Sequence, residues 1–142
     1  MKIYKTKVKK IAGTNFSNIR QKAFTVYLQI KKKSKRKPYV RSAYFKKEKV
    51  FLDLFWTHLF EKEYFLERIR RMKYFPCGID LIVNSKIAPV SKVNPENKNE
   101  ILHRFAGTTC EGDTFFVQIK EAKGKKRLIS IFPRLKNCIK RL

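Results

Sequence analysis

What the chain lacks most is negative charge. Against 35 Lys and Arg it carries 11 Asp and Glu, a formal net charge of +24, and no acid stands before Glu48. Carboxylates this few, and never clustered, form no two-metal constellation, so metal-dependent phosphodiester cleavage drops out. Cysteine is scarce as well: Cys77, Cys110 and Cys138 are odd in number, far apart and without a Cys-x-x-Cys spacing. With two histidines to help them they do not spell a zinc site, and three reduced thiols are expected. There is no P-loop, no Gly-x-Gly-x-x-Gly, no His-Glu-x-x-His and no Gly-x-Ser-x-Gly, and each missing motif removes a class of enzyme. No metal and no cofactor is called for. No run approaches the roughly 18 to 20 apolar residues of a membrane span. The basic N-terminus is not followed by the apolar block of a signal peptide. These absences lead to the expectation of a cytoplasmic protein with no membrane partner.

What is present is enough for a core. With 142 residues, 43% hydrophobic and 13% aromatic, the composition fits one folded domain rather than a disordered polycation. A folded body of this charge calls for an anionic partner. Phosphate backbones fit, because each one neutralised releases condensed counterions. RNA is therefore the expected partner, as tRNA, mRNA or ribosome-bound RNA.

The hydrophobic patterning reads as an α+β fold. Residues 1–18 are a basic arm, read as a solvated tail or a short edge strand. In residues 23–31, Phe24, Val26, Leu28 and Ile30 alternate with Thr25, Tyr27, Gln29 and Lys31, the pattern of a half-buried strand. Extended character resumes over 39–45, so these two segments predict an N-terminal β-hairpin. Residues 47–61 and 63–74 then show apolar stripes of helical period, and 79–83 reads as a further helical turn or an apolar segment beyond Pro76. Residues 84–99, with Pro89 and Pro95, read as a loop. Residues 99–134 form three alternating runs bounded by Gly, Asp or Pro. They predict a C-terminal antiparallel three-strand meander, whose last two strands pair as a hairpin across the short charged connection between Lys120 and Arg127, with its one Gly at a positive-φ position.

Candidate functional residues fall in two places. Lys31, Lys32, Lys33, Lys35, Arg36 and Lys37 crowd the tip of the expected hairpin, either as a phosphate clamp or as a loop kept soluble by charge. Tyr39, Arg41 and Tyr44 follow, suited to base stacking and bidentate phosphate contact. In the meander, His103, Arg104, Gln118, Lys120 and Ser130 are polar residues inside strands, which need a solvated or cleft-lining face. Phe116, Gln118 and Lys120 form the wetter set against Phe115, Val117 and Ile119. His103 and Arg104 are adjacent, so a regular strand sends them to opposite faces, and parity alone does not choose which is the core face. His58 lies on an apolar helical stripe and reads as a core residue. The Arg68, Arg70, Arg71 and Lys73 face of the next helix is either a nucleic-acid contact or simply solvated.

Metal-free RNA cleavage requires a base for the ribose 2′-OH, an acid for the 5′ oxygen and cations for the phosphorane. His103 is the candidate for proton transfer, with Arg104, Lys120 and Arg41 for charge. His103-Arg104-Phe105-x-Gly107, Phe116-Val117-Gln118-Ile119-Lys120 and Leu128-Ile129-Ser130-Ile131-Phe132-Pro133 together resemble the C-terminal core of phage- and mobile-element-associated members of the barnase/EndoU/colicin/RelE-like nuclease superfamily. The resemblance implies a small metal-independent endoribonuclease, often a toxin, with helices ahead of an antiparallel sheet that carries the active site. It implies that His103 or Arg104, together with Lys120 and Ser130, are sheet residues of that site; a toxin would need a neutralising antitoxin or immunity protein, which charge complementarity makes acidic. Two other readings use the same residues: a non-catalytic RNA- or DNA-binding module, and a protein that docks on an acidic partner.

Overall fold

The computed structural model describes residues 3–62 and 65–134. In chain order it contains β1 (Tyr4–Lys5), α1 (Phe16–Lys33), β2 (Tyr39–Arg41), β3 (Lys49–Phe51), α2 (Asp53–Lys62), α3 (Phe65–Lys73), α4 (Phe75–Asn84), β4 (Val90–Asn94), β5 (Asn97–Thr108), β6 (Thr114–Ala122) and β7 (Lys125–Pro133). The class is α+β. Among the described residues no helix is long and apolar enough to cross a membrane.

The meander forms as expected. β5, β6 and β7 pair antiparallel in sequence order, and the β6–β7 turn places Lys123 and Gly124 at positive φ, 52° and 74°. The rest of the sheet is wider than the sequence implied. Its order is β1-β5-β6-β7-β3-β2, with β4 also paired to β5, and it is mixed, since β1 with β5 and β3 with β7 run parallel. The loop expected over 84–99 is corrected: Val90–Asn94 is a strand pairing antiparallel with β5, and Pro95 sits in the turn between them. An edge strand exposed on both faces carries no burial alternation for sequence reading to find.

The largest correction is at the N-terminal hairpin. Residues 23–31 are not a strand but the second half of an 18-residue helix, α1. Ile19 and Ala23 are fully buried, and Val26, Tyr27 and Ile30 pack behind them, a stripe of helical period running through the apparent alternation. The Asn15 side chain caps the start by accepting the Asn18 N–H at 3.1 Å, and Lys31, Lys32 and Lys33 fill the last turn, where cations meet the negative end of the helix dipole. A shorter hairpin does exist, between β2 and β3. Pro76, expected to interrupt a helix, instead opens α4 in its first turn, where a missing N–H costs nothing.

The basic arm is moored rather than loose over its described residues. Tyr4 donates to Asp80 Oδ1 at 2.9 Å and the Lys7 N–H donates to Asp80 Oδ2 at 2.8 Å, so the buried α4 carboxylate ties β1 beside β5. Burial and that carboxylate push the Tyr4 phenol up to about 12.

The core lies on one side of the sheet. Phe115, Val117, Ile119, Leu128 and Ile131 point to the helices and are fully buried. α4 approaches this face closely at Gly78, where an added Cβ would stand 2.3 Å from Ile131 Cδ1. On the opposite face, Phe116 and Phe132 belong neither to the core cluster nor to the residues packed against it. That second face is called the open face below.

A candidate nucleic-acid interface on the open face

Strand register builds the open face in rows. Tyr39 pairs with Phe51, Phe51 with Arg127, Arg127 with Lys120, Lys120 with Leu102 and Leu102 with Lys92, so one row crosses six strands on a common face. Beside it runs Val90–Arg104–Gln118–Ser130, and beyond that Ala106–Phe116–Phe132. On the other flank Arg41 pairs with Lys49, and Glu100, Ala122 and Lys125 line up. Glu100 is the one carboxylate in these rows, and Lys120 Nζ stands 3.7 Å from it.

One irregularity makes the rows possible. Ile119 pairs with Leu128 and Gln118 with Ser130, leaving Ile129 as an extra residue in β7. Without that bulge Arg127 and Ser130, three residues apart, would face opposite sides. With it both join the open face while Leu128 and Ile131 stay in the core.

Cations rest on the half-buried rings of this face. The Arg104 guanidinium lies 5.9 Å from the Phe116 ring and 5.5 Å from Phe132, and Arg71 lies 5.4 Å from Phe132. Arg71 comes from α3, which flanks the part of β7 that β3 does not reach, and it donates to Ser130 Oγ at 2.8 Å. At the other end of the sheet Lys49 and Arg41 sit 4.7 and 5.6 Å from the Tyr39 ring, whose edge meets Phe51 at 6.1 Å. Each ring holds its cation by quadrupole attraction of about 0.5–1 kcal/mol at exposed sites. That is weak enough for a phosphate to take the cation over.

Next to β2 the open face ends in a cleft of about 640 Å³, lined by Lys33, Lys35, Arg36, Lys37, Tyr39, Lys49, Phe51 and Lys125. At the far edge a smaller cleft of about 180 Å³ lies among Ile3, Ile87, Val90, Arg104, Phe116 and Arg134.

His103 is elsewhere. It points to the helix side, 7% exposed, against the Phe45 ring at 5.0 Å. Its Nε2 lies 2.8 Å from Glu121 Oε1 and its Nδ1 2.6 Å from Ser91 Oγ. A carboxylate only accepts, so Nε2 carries a proton, and in the neutral ring Nδ1 accepts from the Ser91 hydroxyl. Lys126, buried beside them, donates to Glu48 Oε2 at 2.8 Å, stands 3.8 Å from Glu121 Oε2 and lies over the Phe45 ring at 4.7 Å. Every polar atom of this cluster that faces inward has a partner, as structural polar groups do.

The residues singled out in the sequence therefore divide. Arg104, Gln118, Lys120, Ser130, Tyr39 and Arg41 share the open face, and Lys33, Lys35, Arg36 and Lys37 line the cleft at its end. Lys31 and Lys32 lie on the last turn of α1 beside Leu28 and Gln29, not at a hairpin tip, because the segment is helical. Tyr44 is turned inward, 5.8 Å from Phe105. His103 is separated from Arg104 by the thickness of the sheet. Sequence reading passed over Phe116, Phe132, Lys49, Phe51 and Arg127, although the parity of Phe116 with Gln118 and Lys120 marked the first. Arg71 stood in the arginine-rich helix face but had no sequence signal for Ser130.

No protein-family model, no curated protein and no solved structure matches the chain.

Proposed function

We propose that the protein binds RNA on the open face of its sheet. The observation that carries this reading is the interleaving of cations and rings along the register rows, Tyr39 and Phe51 with Arg127 and Lys120, then Arg104 with Phe116 and Phe132, on a face the core does not use. Cations neutralise the backbone and half-buried rings offer a face to bases, a combination that suits nucleic acid better than any acidic protein. Polyglutamate offers the charge without the bases and is the natural control.

A second reading, metal-independent cleavage, draws on the convergence of Arg104, Lys120, Ser130 and Arg71 on one face, a cationic set suited to a phosphorane. Proton transfer near neutral pH is work for an imidazole, and the His103 ring is on the other side of the sheet. Binding is therefore the better supported activity.

The test is anisotropy of a labelled RNA, titrated across salt in excess EDTA, with the RNA then run on a gel. Arg104→Glu with Lys120→Glu is expected to lower affinity by about a hundredfold or more at low salt and to flatten the salt dependence. Affinity unmoved by the charge reversal, or equal affinity for polyglutamate, would sink the proposal. RNA cut by the wild type and spared by the double variant would establish the second reading.

A further inference from the structure

We infer that the cleft beside β2 is a binding site for a nucleotide carrying a polyphosphate, whether free or as the 5′ end of a strand. The cleft combines three things that the flat part of the open face does not. It is concave, and its volume of about 640 Å³ falls within the roughly 300–1,000 Å³ typical of small-ligand sites. It has an aromatic wall, Tyr39 and Phe51, able to take a base on a ring face. Among the described residues its lining includes six cations, Lys33, Lys35, Arg36, Lys37, Lys49 and Lys125, and no acid.

The charge decides the ligand class. A phosphodiester inside a strand brings one negative charge per residue of backbone, which leaves most of six converging cations unanswered. A chain of unesterified phosphates concentrates several charges within the span of the cleft and answers them together. The geometry also supplies a handover. Lys49 rests 4.7 Å from the Tyr39 ring. A base that stacks there displaces the ammonium toward the phosphates the same nucleotide carries. The floor is held firm on both flanks: the Tyr39 N–H donates to Ser34 Oγ at 3.3 Å, and the Leu52 N–H donates to the Pro38 carbonyl at 3.1 Å. The lysine loop between α1 and β2 is thus pinned at the residue where the ring wall begins.

The site goes beyond the RNA-binding reading and does not require it, since none of Arg104, Gln118, Lys120 and Ser130 is among the residues that line the cleft. Calorimetric titration of the whole protein in EDTA with ATP, ADP, AMP, adenosine and inorganic triphosphate tests it. Affinity is expected to rise by about tenfold from AMP to ATP, with inorganic triphosphate weaker than ATP by about the stacking increment of one base, again about tenfold. Tyr39→Leu is expected to erase the difference between ATP and inorganic triphosphate. Lys35→Ala with Arg36→Ala and Lys37→Ala is expected to erase the difference between ATP and AMP. All four changes are at half-buried or exposed loop and edge positions, and a thermal melt checks that the fold is kept. Oligonucleotides ending in a 5′-triphosphate or a 5′-hydroxyl separate the two sources. A gain for the triphosphate end beyond that for ATP assigns the site to strand ends, and none assigns it to free nucleotide. Equal affinity for AMP and ATP, or ATP binding indifferent to both sets of changes, overturns the inference while leaving RNA binding on Arg104 and Lys120 intact.

Discussion

On the helix side of β5, both ring nitrogens of His103 are engaged, by Ser91 and by Glu121, and its edge is closed by Phe45. One residue on, Arg104 leans on the rings of Phe116 and Phe132, with a 3.5 Å contact to Gln118 as its hydrogen bond. The two neighbours carry similar chemistry into opposite surroundings. The inner polar group is satisfied within the fold, and removing it opens a cavity beside Phe45. The outer one is held by weak forces that an incoming anion can replace. A residue's chemical versatility is thus a poor guide to its task, and the completeness of its partnerships is a better one.

His103→Ala tests the inner face most severely. It deletes a buried ring beside Phe45, a loss of about 3 kcal/mol by the cost of the cavity, while exposed Ser91 and part-exposed Glu121 can turn to water. That corresponds to a fall in melting temperature of about 10 °C for a chain of this size. RNA affinity of the folded protein is expected to stay within about twofold, since the ring makes no contact with the open face. Denaturant unfolding and anisotropy on the same sample read the two quantities. A stable variant that has lost RNA binding would reverse the roles given to the two faces.

Phe132→Leu probes the other side. It keeps an apolar side chain in the third row but removes the ring that Arg71 and Arg104 share. Affinity for single-stranded RNA is expected to fall by about tenfold, the value of one stacked base, with stability changed by less than about 1 kcal/mol. Lys126→Met should move the opposite quantity. Methionine fills the buried stem but frees Glu48 and Glu121, which are 53% and 30% exposed and can turn to water. The loss of about 1 kcal/mol in stability therefore stays well below that of a sealed ion pair, and RNA affinity is unchanged.

How far the sequence told these faces apart depended on burial. Along β6 the odd residues Phe115, Val117 and Ile119 are sealed against helices, so alternation showed their face directly. The same logic misled at 23–31, where Ala23, fully buried but small, hides among larger residues, and exposed Leu28 completes a false alternation. β4 was silent because no described residue covers it: Val90 and Val93 are both more than half exposed. That His103 faces the core rather than Arg104 depends on Phe45, which comes from a turn far earlier in the chain. Likewise the common face of Arg127 and Ser130 depends on the bulge at Ile129. Neither a distant packing partner nor an unpaired strand residue leaves a periodic trace.

The smallest expected effect is the most discriminating for Ser130. Its hydroxyl accepts from Arg71 at 2.8 Å, and Arg71 also reaches Glu67 Oε1 at 3.3 Å, so the guanidinium has a second anchor within α3. Ser130→Ala therefore removes one hydrogen bond to a charged group on a half-buried surface, about 1 kcal/mol or less in stability. RNA affinity should fall by no more than about fivefold, through a looser Arg71 over Phe132. If Ser130 instead acts on the RNA chemically, affinity will hold while any cutting activity drops by orders of magnitude. Binding and cleavage measured on this one variant therefore separate a hydroxyl that positions an arginine from one that touches the reacting phosphate.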